Sequence, residues 1–350
     1  MIYYFINDKY TVIMKTIEKH KITYMHFILS VLIILVHAIN NKTTFEKFFS
    51  IETGIGQFAV PLFFIISGFL FFYNSNSFND INNKIIKRFY TLLIPYLLWN
   101  LIYYIFHLIL EAETTFDIFT LIDAVINHSF NPVFWYIYQL ILLTIISPII
   151  YYISKIKKME IPFMVLLSLL IIGNTDIPFI NEDAIIYYLF GCYLSRLYNN
   201  KKFKIIDNLY IFIFSLISIL VFILNRYLHN NIFNNIELLH YYTLSVIYLR
   251  IAIAMFMFYF CDIFFNYKHI PKYMNNSFFL YSIHYMIVRF IITITNNYLI
   301  NFFDNKSFTL IQILLFLLSP MICITISYYL SLFLTNKLPK FYSILTGNRK

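Results

Sequence analysis

Apolar side chains run in long unbroken stretches between residues 22 and 334, and polar residues gather between the stretches at near-regular intervals. Ten stretches can be delimited: 22–39, 55–73, 89–110, 133–153, 161–173, 184–197, 206–224, 241–265, 277–299 and 308–334. Most approach the roughly 20 mainly apolar helical residues that cross a bilayer core about 30 Å thick; the fifth and sixth are shorter. The alternation of barrel strands is missing, and the runs exceed strand lengths of about 9–11 residues, so the pattern predicts helices. The expected fold class is all-α: a polytopic integral membrane protein of about ten transmembrane helices. Residues 1–21 would form an N-terminal segment, 22–334 the membrane domain and 335–350 a C-terminal tail.

Composition strengthens this picture. Of 350 residues, 60% are apolar and 12% charged, with 40 Phe and 31 Tyr, which excludes an ordinary soluble domain. Lysine and arginine in the loops set the orientation. With the N-terminus in the cytoplasm, 20 of them fall in inner segments and only Lys42, Lys47, Arg226 and Lys306 in outer loops, which places both termini inside. The net charge of +9 follows from this asymmetry and calls for no nucleic acid; attraction to anionic membrane lipid is a secondary effect. The first stretch lacks the small-residue cleavage site of a signal peptide, and His37 falls where one would be expected. Cys192, Cys261 and Cys323 are scattered through the stretches, so neither disulfides nor a metal site is expected. The longest loop, 111–132, is too short for a separate domain, so chemistry is expected within the helical bundle or at its mouths.

Ionisable groups inside a membrane are costly and mark candidate functional sites. His26 and His37 lie eleven residues apart in the first stretch. On one helix that spacing puts them within about 20° of each other and about 16 Å apart, so both could line one cavity. Arg250 and Arg289 fall near the middle of the eighth and ninth stretches, where a guanidinium needs an internal partner, an anion or water. His284 shares the neighbourhood of Arg289. His107 and Gln139, near the outer ends of their stretches, fit an interfacial place equally well. Lys84, Lys87 and Arg88 make a basic cluster at the cytoplasmic start of the third stretch, suited to phosphate, although inner loops are basic in any case. Trp99 and Trp135 fit interfacial anchors, and Trp135, just after Pro132, could stack on a sugar.

In order and spacing, SVLIILVHAIN (30–40), VPLFFIISGFLFF (60–72), KRFYTLLIPYLLWN (87–100), FWYIYQLILLTIISPI (134–149), YYLFGCYLSRL (187–197) and NSFFLYSIHYMI (276–287) resemble the membrane-bound acyltransferase-3 family. Members move acyl groups, usually acetyl, onto surface polysaccharides and related acceptors. The resemblance implies that His37 is catalytic. It also implies that the position eleven before it, often arginine and here His26, assists, and that the basic segment with Arg88, Lys87 and Lys84 binds the acyl-CoA donor. The family's second arginine, three residues after Arg88, is replaced by Thr91. The chain is similar to the stand-alone ten-helix form, which implies a multi-pass protein of a bacterial cytoplasmic membrane.

The expected chemistry is transfer of an acyl group, acetyl first among candidates, from cytoplasmic acetyl-CoA or a related acyl-CoA to a hydroxyl of a surface polysaccharide or lipid-linked glycan, with no metal. His37 would serve as general base and His26 would position the donor or stabilise charge. Arg250, Arg289 and His284 would contact the oxyanion or a phosphate, and Trp135 the acceptor. A transporter or flippase of a lipid-linked sugar, with the same arginines and histidines holding an anionic headgroup, is the alternative.

Overall fold

The computed structural model describes residues 2–40, 55–110, 116–156, 159–172, 179–199, 245–253, 270–297 and 305–348, with isolated helical positions at 213, 217, 220, 256 and 257. Within these residues the chain is helical and contains no strand. Among the described residues, five helices are long and apolar enough to cross a membrane: His20–His37, Phe78–Ile109, Pro132–Lys155, Lys272–Asn297 and Ser307–Lys337. The protein is an all-α, polytopic membrane fold. The expected stretch 206–224 lies outside the described residues apart from isolated positions, and 241–265 is described over 245–253 and at 256 and 257.

Helix α1, Ile2–His37, contains neither glycine nor proline, so nothing interrupts it. It is 36 residues long and extends through the residues expected to precede the first crossing. α2, Ala59–Phe72, continues a short 3-10 turn at Ile55–Phe58 and carries Pro61 in its first turn, where a missing N–H costs nothing. α3, Phe78–Arg88, begins at a capping box in which the Ser77 hydroxyl and the Asp80 carboxylate satisfy each other's backbone N–H groups. α3 passes through one turn of π-helix, Phe89–Leu93, into α4, Ile94–Leu110. Pro95 explains the widened turn: it offers no N–H to the carbonyl of Thr91, and its ring would crowd that oxygen in a regular helix.

The expected loop 111–132 contains a helix of its own. α5, Ile118–Ile126, returns beside α4: the Tyr104 hydroxyl bonds both the N–H and the carbonyl of Asp117 at 3.0 Å, and Tyr96 donates to the carbonyl of Val125. Its outer side, with Ile118, Phe119 and Ile122, is exposed and apolar. A 3-10 turn at Pro132–Phe134 then leads into α6, Trp135–Lys155. α7 covers Glu160–Ile172 and α8 Glu182–Asn199, the two short expected crossings.

α2 and α8 make the most intimate packing. A Cβ on Gly68 would lie 2.2 Å from the Tyr188 carbonyl oxygen, and one on Gly191 would lie 2.2 Å from that of Ile65. Backbone meets backbone here because both positions lack a side chain, the usual basis of close helix pairing in membranes. α9, Ser277–Asn297, follows a 3-10 turn at Lys272–Asn276; α10, Asn305–Lys337, and α11, Pro339–Leu345, complete the described chain. α1 packs against α2, α9 and α10, which surrounds its histidines with three other helices. α11 is held by the Trp99 indole, which donates to the carbonyl of Leu345 at 3.1 Å, and Gly347, at φ +61°, presses against the Thr91 carbonyl in the π turn.

Candidate active site

The basic segment and the first histidine meet at one cavity of about 300 Å³. α1 contributes His26 and Ser30, α2 contributes Phe63 and Ser67, α3 ends in it with Arg88, and Leu92 of the π turn adds an apolar wall. Ser30 is one turn after His26 and spends its hydroxyl hydrogen on the His26 carbonyl at 2.8 Å. The ring of His26 lies 5.5 Å from that of Phe63. Tyr136 from α6 and Tyr281 from α9 close the far side. Tyr136 and Ser67 share a hydrogen bond of 3.0 Å, and the Tyr136 hydroxyl also approaches the Phe63 carbonyl at 3.4 Å. Tyr281 is stacked on Phe134 with ring centres 5.9 Å apart and donates to the carbonyl of Val133, so the 3-10 turn before α6 positions this wall.

His37 does not line the cavity. It sits further along α1 beside α9, its ring centre 5.5 Å from those of both His284 and Tyr285. His284 is 1% exposed. Its Nδ1 lies 2.6 Å from the carbonyl oxygen of Tyr281. A carbonyl only accepts, so Nδ1 carries the hydrogen, and Nε2 of the neutral ring presents a lone pair. That Nε2 is buried and has no hydrogen-bond partner among the described residues. Tyr281 therefore joins the two places: its side chain walls the cavity, its carbonyl sets the His284 tautomer, and the two rings are 5.7 Å apart. His26 and His37, expected to share one cavity, occupy separate neighbourhoods three turns apart on α1.

The basic cluster also divides. Lys84 directs its ammonium to the carbonyls of Phe71 and Tyr73, at 2.8 and 2.5 Å, and to the Ser75 hydroxyl at 2.7 Å. These three acceptors match its three donors, so Lys84 caps the end of α2. Lys87 is exposed, and Arg88 alone of the three reaches the cavity. Arg250 donates to Asp183 at 3.1 Å and to the Tyr187 hydroxyl at 3.3 Å, tying the helical stretch 245–253 to α8. Arg289 is exposed next to the exposed Phe290, on the outside of α9. Trp135 is half-buried against Phe64, with ring centres 6.2 Å apart. His107 lies 4.3 Å from the Phe130 ring, and Gln139 ties the start of α8, donating to the Phe179 carbonyl at 3.0 Å and accepting from the Asn181 N–H at 2.9 Å.

Residue-by-residue reading of the sequence passes over Ser30, Ser67, Tyr136 and Tyr281. Ser67 carried a signal, as the one hydroxyl in an otherwise apolar helix; two tyrosines among 31 did not.

A family model described as an acyltransferase domain, acyltransferase-3, matches residues 19–332. No curated protein and no solved structure matches the chain. The match runs from the first crossing nearly to the end of α10 and takes in the cavity and the histidine pair together. The chain belongs to the acyltransferase-3 family and is a multi-pass membrane acyltransferase.

Proposed function

We propose that the protein transfers an acyl group, acetyl first among candidates, from a cytoplasmic acyl-CoA to a hydroxyl of a surface polysaccharide or lipid-linked glycan. The observation that carries this reading is the arrangement of a cavity bearing Arg88 and His26 near a pair of imidazoles, the half-buried His37 and the buried His284. Arg88 stands at the end of α3 that the charge asymmetry assigns to the cytoplasm, where a guanidinium can hold the phosphates of CoA. The cavity beyond it, walled by Phe63, Leu92, Ile137 and Leu140, suits the slender pantetheine arm and falls at the lower end of small-molecule pocket sizes.

In this reading His37 takes the proton of the acceptor hydroxyl as its oxygen attacks the thioester carbonyl. The tetrahedral oxyanion then collapses, the C–S bond breaks, and the imidazolium returns the proton to the departing thiolate. His284, with its hydrogen committed to the Tyr281 carbonyl, suits accepting or relaying a proton; donation to an oxyanion would need a second proton on the ring. Of the Ser67 and Tyr136 hydroxyls, which bond each other, one keeps a hydrogen that could meet charge developing in the cavity. Arg250 is matched by Asp183, Arg289 is exposed, and neither lines the cavity, which favours acyl transfer over a headgroup transporter.

Mass spectrometry of surface glycans tests the reading. Cells with the protein should carry an added acyl mass that is missing from a deletion strain and from one expressing His37→Gln at normal membrane levels. Loss of polymer export with the acyl group retained would favour transport.

A further inference from the structure

Beyond the histidine pair, at the end of the bundle away from Arg88 and Ser277, amides converge on a small open slot. Asn40 follows α1, Asn296 ends α9, and Gln312 lies two turns into α10. Asn40 donates to Asn296 Oδ1 at 2.9 Å and accepts from Asn296 Nδ2 at 3.2 Å, while Gln312 Nε2 donates to the same Oδ1 at 3.4 Å. Asn296 Oδ1 thus accepts two hydrogen bonds. Gln312 Oε1 is left over: the residue is 5% exposed, and this oxygen has no hydrogen-bond partner among the described residues.

A buried acceptor without a donor is costly, and its presence calls for something to fill the place. The slot has room for one water-sized group, about 20 Å³, lined besides the amides by Thr295, Ser319 and apolar side chains including Ala38. Both Thr295 and Ser319 already donate to helix carbonyls, at 2.7 Å each to Ile291 and Phe316, so they too present lone pairs. Gln312 Oε1 and the two hydroxyl oxygens are therefore open acceptors, beside the second N–H of the Gln312 amide, and among the described residues no lining residue is charged. Ala38 directly follows His37, and Val288, also in the wall, is one turn beyond His284.

We infer that this slot is the acceptor subsite: it takes an O–H or amide N–H of a neutral sugar as hydrogen-bond donor to Gln312 Oε1, and so presents a neighbouring hydroxyl of that sugar to His37. The inference rests on the acyl-transfer reading above. Among the described residues the lining carries no cation, which favours a neutral glycan over an anionic headgroup.

The test compares cells lacking the native gene and expressing wild-type protein, Q312M, T295V or H37Q. The readouts are O-acyl content of surface glycans by mass spectrometry, normalised to protein in the membrane, and Tm of the purified protein. Methionine keeps the length of glutamine without its hydrogen-bonding atoms, and valine keeps the shape of threonine while leaving the amides alone. Q312M should lower acylation about tenfold and T295V about threefold, both at wild-type Tm. Wild-type acylation in Q312M would mean that the slot holds only a water, and acylation falling in step with Tm in both variants would mean that the cluster only braces the helices; either result overturns the assignment. If Q312M does not accumulate, T295V decides. Acylation lost in H37Q but intact in Q312M and T295V sinks the slot alone, whereas a wild-type strain that adds no acyl group sinks the acyl-transfer reading as well.

Discussion

Replacing Gly68 by alanine should loosen the bundle at the place where it is tightest. The new methyl would sit 2.2 Å from the Tyr188 carbonyl oxygen, and restoring even a 3.0 Å contact moves the backbones of α2 and α8 apart by about 0.8 Å. The obstructing atoms belong to the main chain, so no rotamer change relieves them. Overpacking of this kind costs about 1–3 kcal/mol, and small-residue contacts supply much of the attraction between helices in lipid. Gly191 makes the reciprocal approach to Ile65, so Gly191→Ala should cost a similar amount. Once the helices have separated for one methyl, the second meets less resistance, and the double variant should lose less than the sum of the two. Thermal unfolding of the detergent-solubilised protein reads the stabilities: each single variant should lower Tm by several degrees. Ser67 walls the cavity one residue away, so acyl transfer should fall too. Wild-type Tm in both single variants, or strict additivity in the double, would refute the claim that backbone contact at these glycines sets the spacing.

Three further outcomes follow from the same geometry. Lys84→Met should destabilise the protein by about 1–3 kcal/mol, as for a lost charged cap, and so lower Tm with little effect on donor KM, whereas Arg88→Gln should raise donor KM about tenfold at unchanged Tm; steady-state kinetics with acetyl-CoA separates the two. Asp183→Asn leaves the partly buried Arg250 without its counter-charge and should destabilise the protein more than the double change with Arg250→Gln, as read by chemical denaturation. Asp117 caps α5, and hydrogen bonds from the Thr120 side chain and backbone hold its carboxyl below the ordinary range. Its stabilising contribution is therefore complete above the ordinary carboxylate range and lost as pH falls through the lowered value, so Asp117→Asn should flatten the acid limb of a Tm-against-pH curve.

Much of the fold was legible because hydropathy is a local property. A segment that must satisfy its own backbone in lipid has to be helical, and α1, α2, α4, α6, α7, α8, α9 and α10 overlie stretches delimited from apolar runs alone. The loop 111–132 was not legible. Its apolar content reads as a poor connector, and only the bonds from Tyr104 and Tyr96 show that α5 folds back along α4. Polar residues inside apolar runs located His26, His37 and His284, but not their grouping: His26 goes with Arg88, and His37 with a histidine of α9.

Lys84, Lys87 and Arg88 show the division most plainly. The sequence by itself determined that this segment is basic, helical and placed at the start of a crossing, since charge, periodicity and capping residues act over a few positions. Whether each cation caps a helix, faces outward or enters a cavity was decided by the tertiary structure, because partners such as the Phe71 carbonyl and the walls of α1, α2, α6 and α9 are brought into reach only when the helices pack.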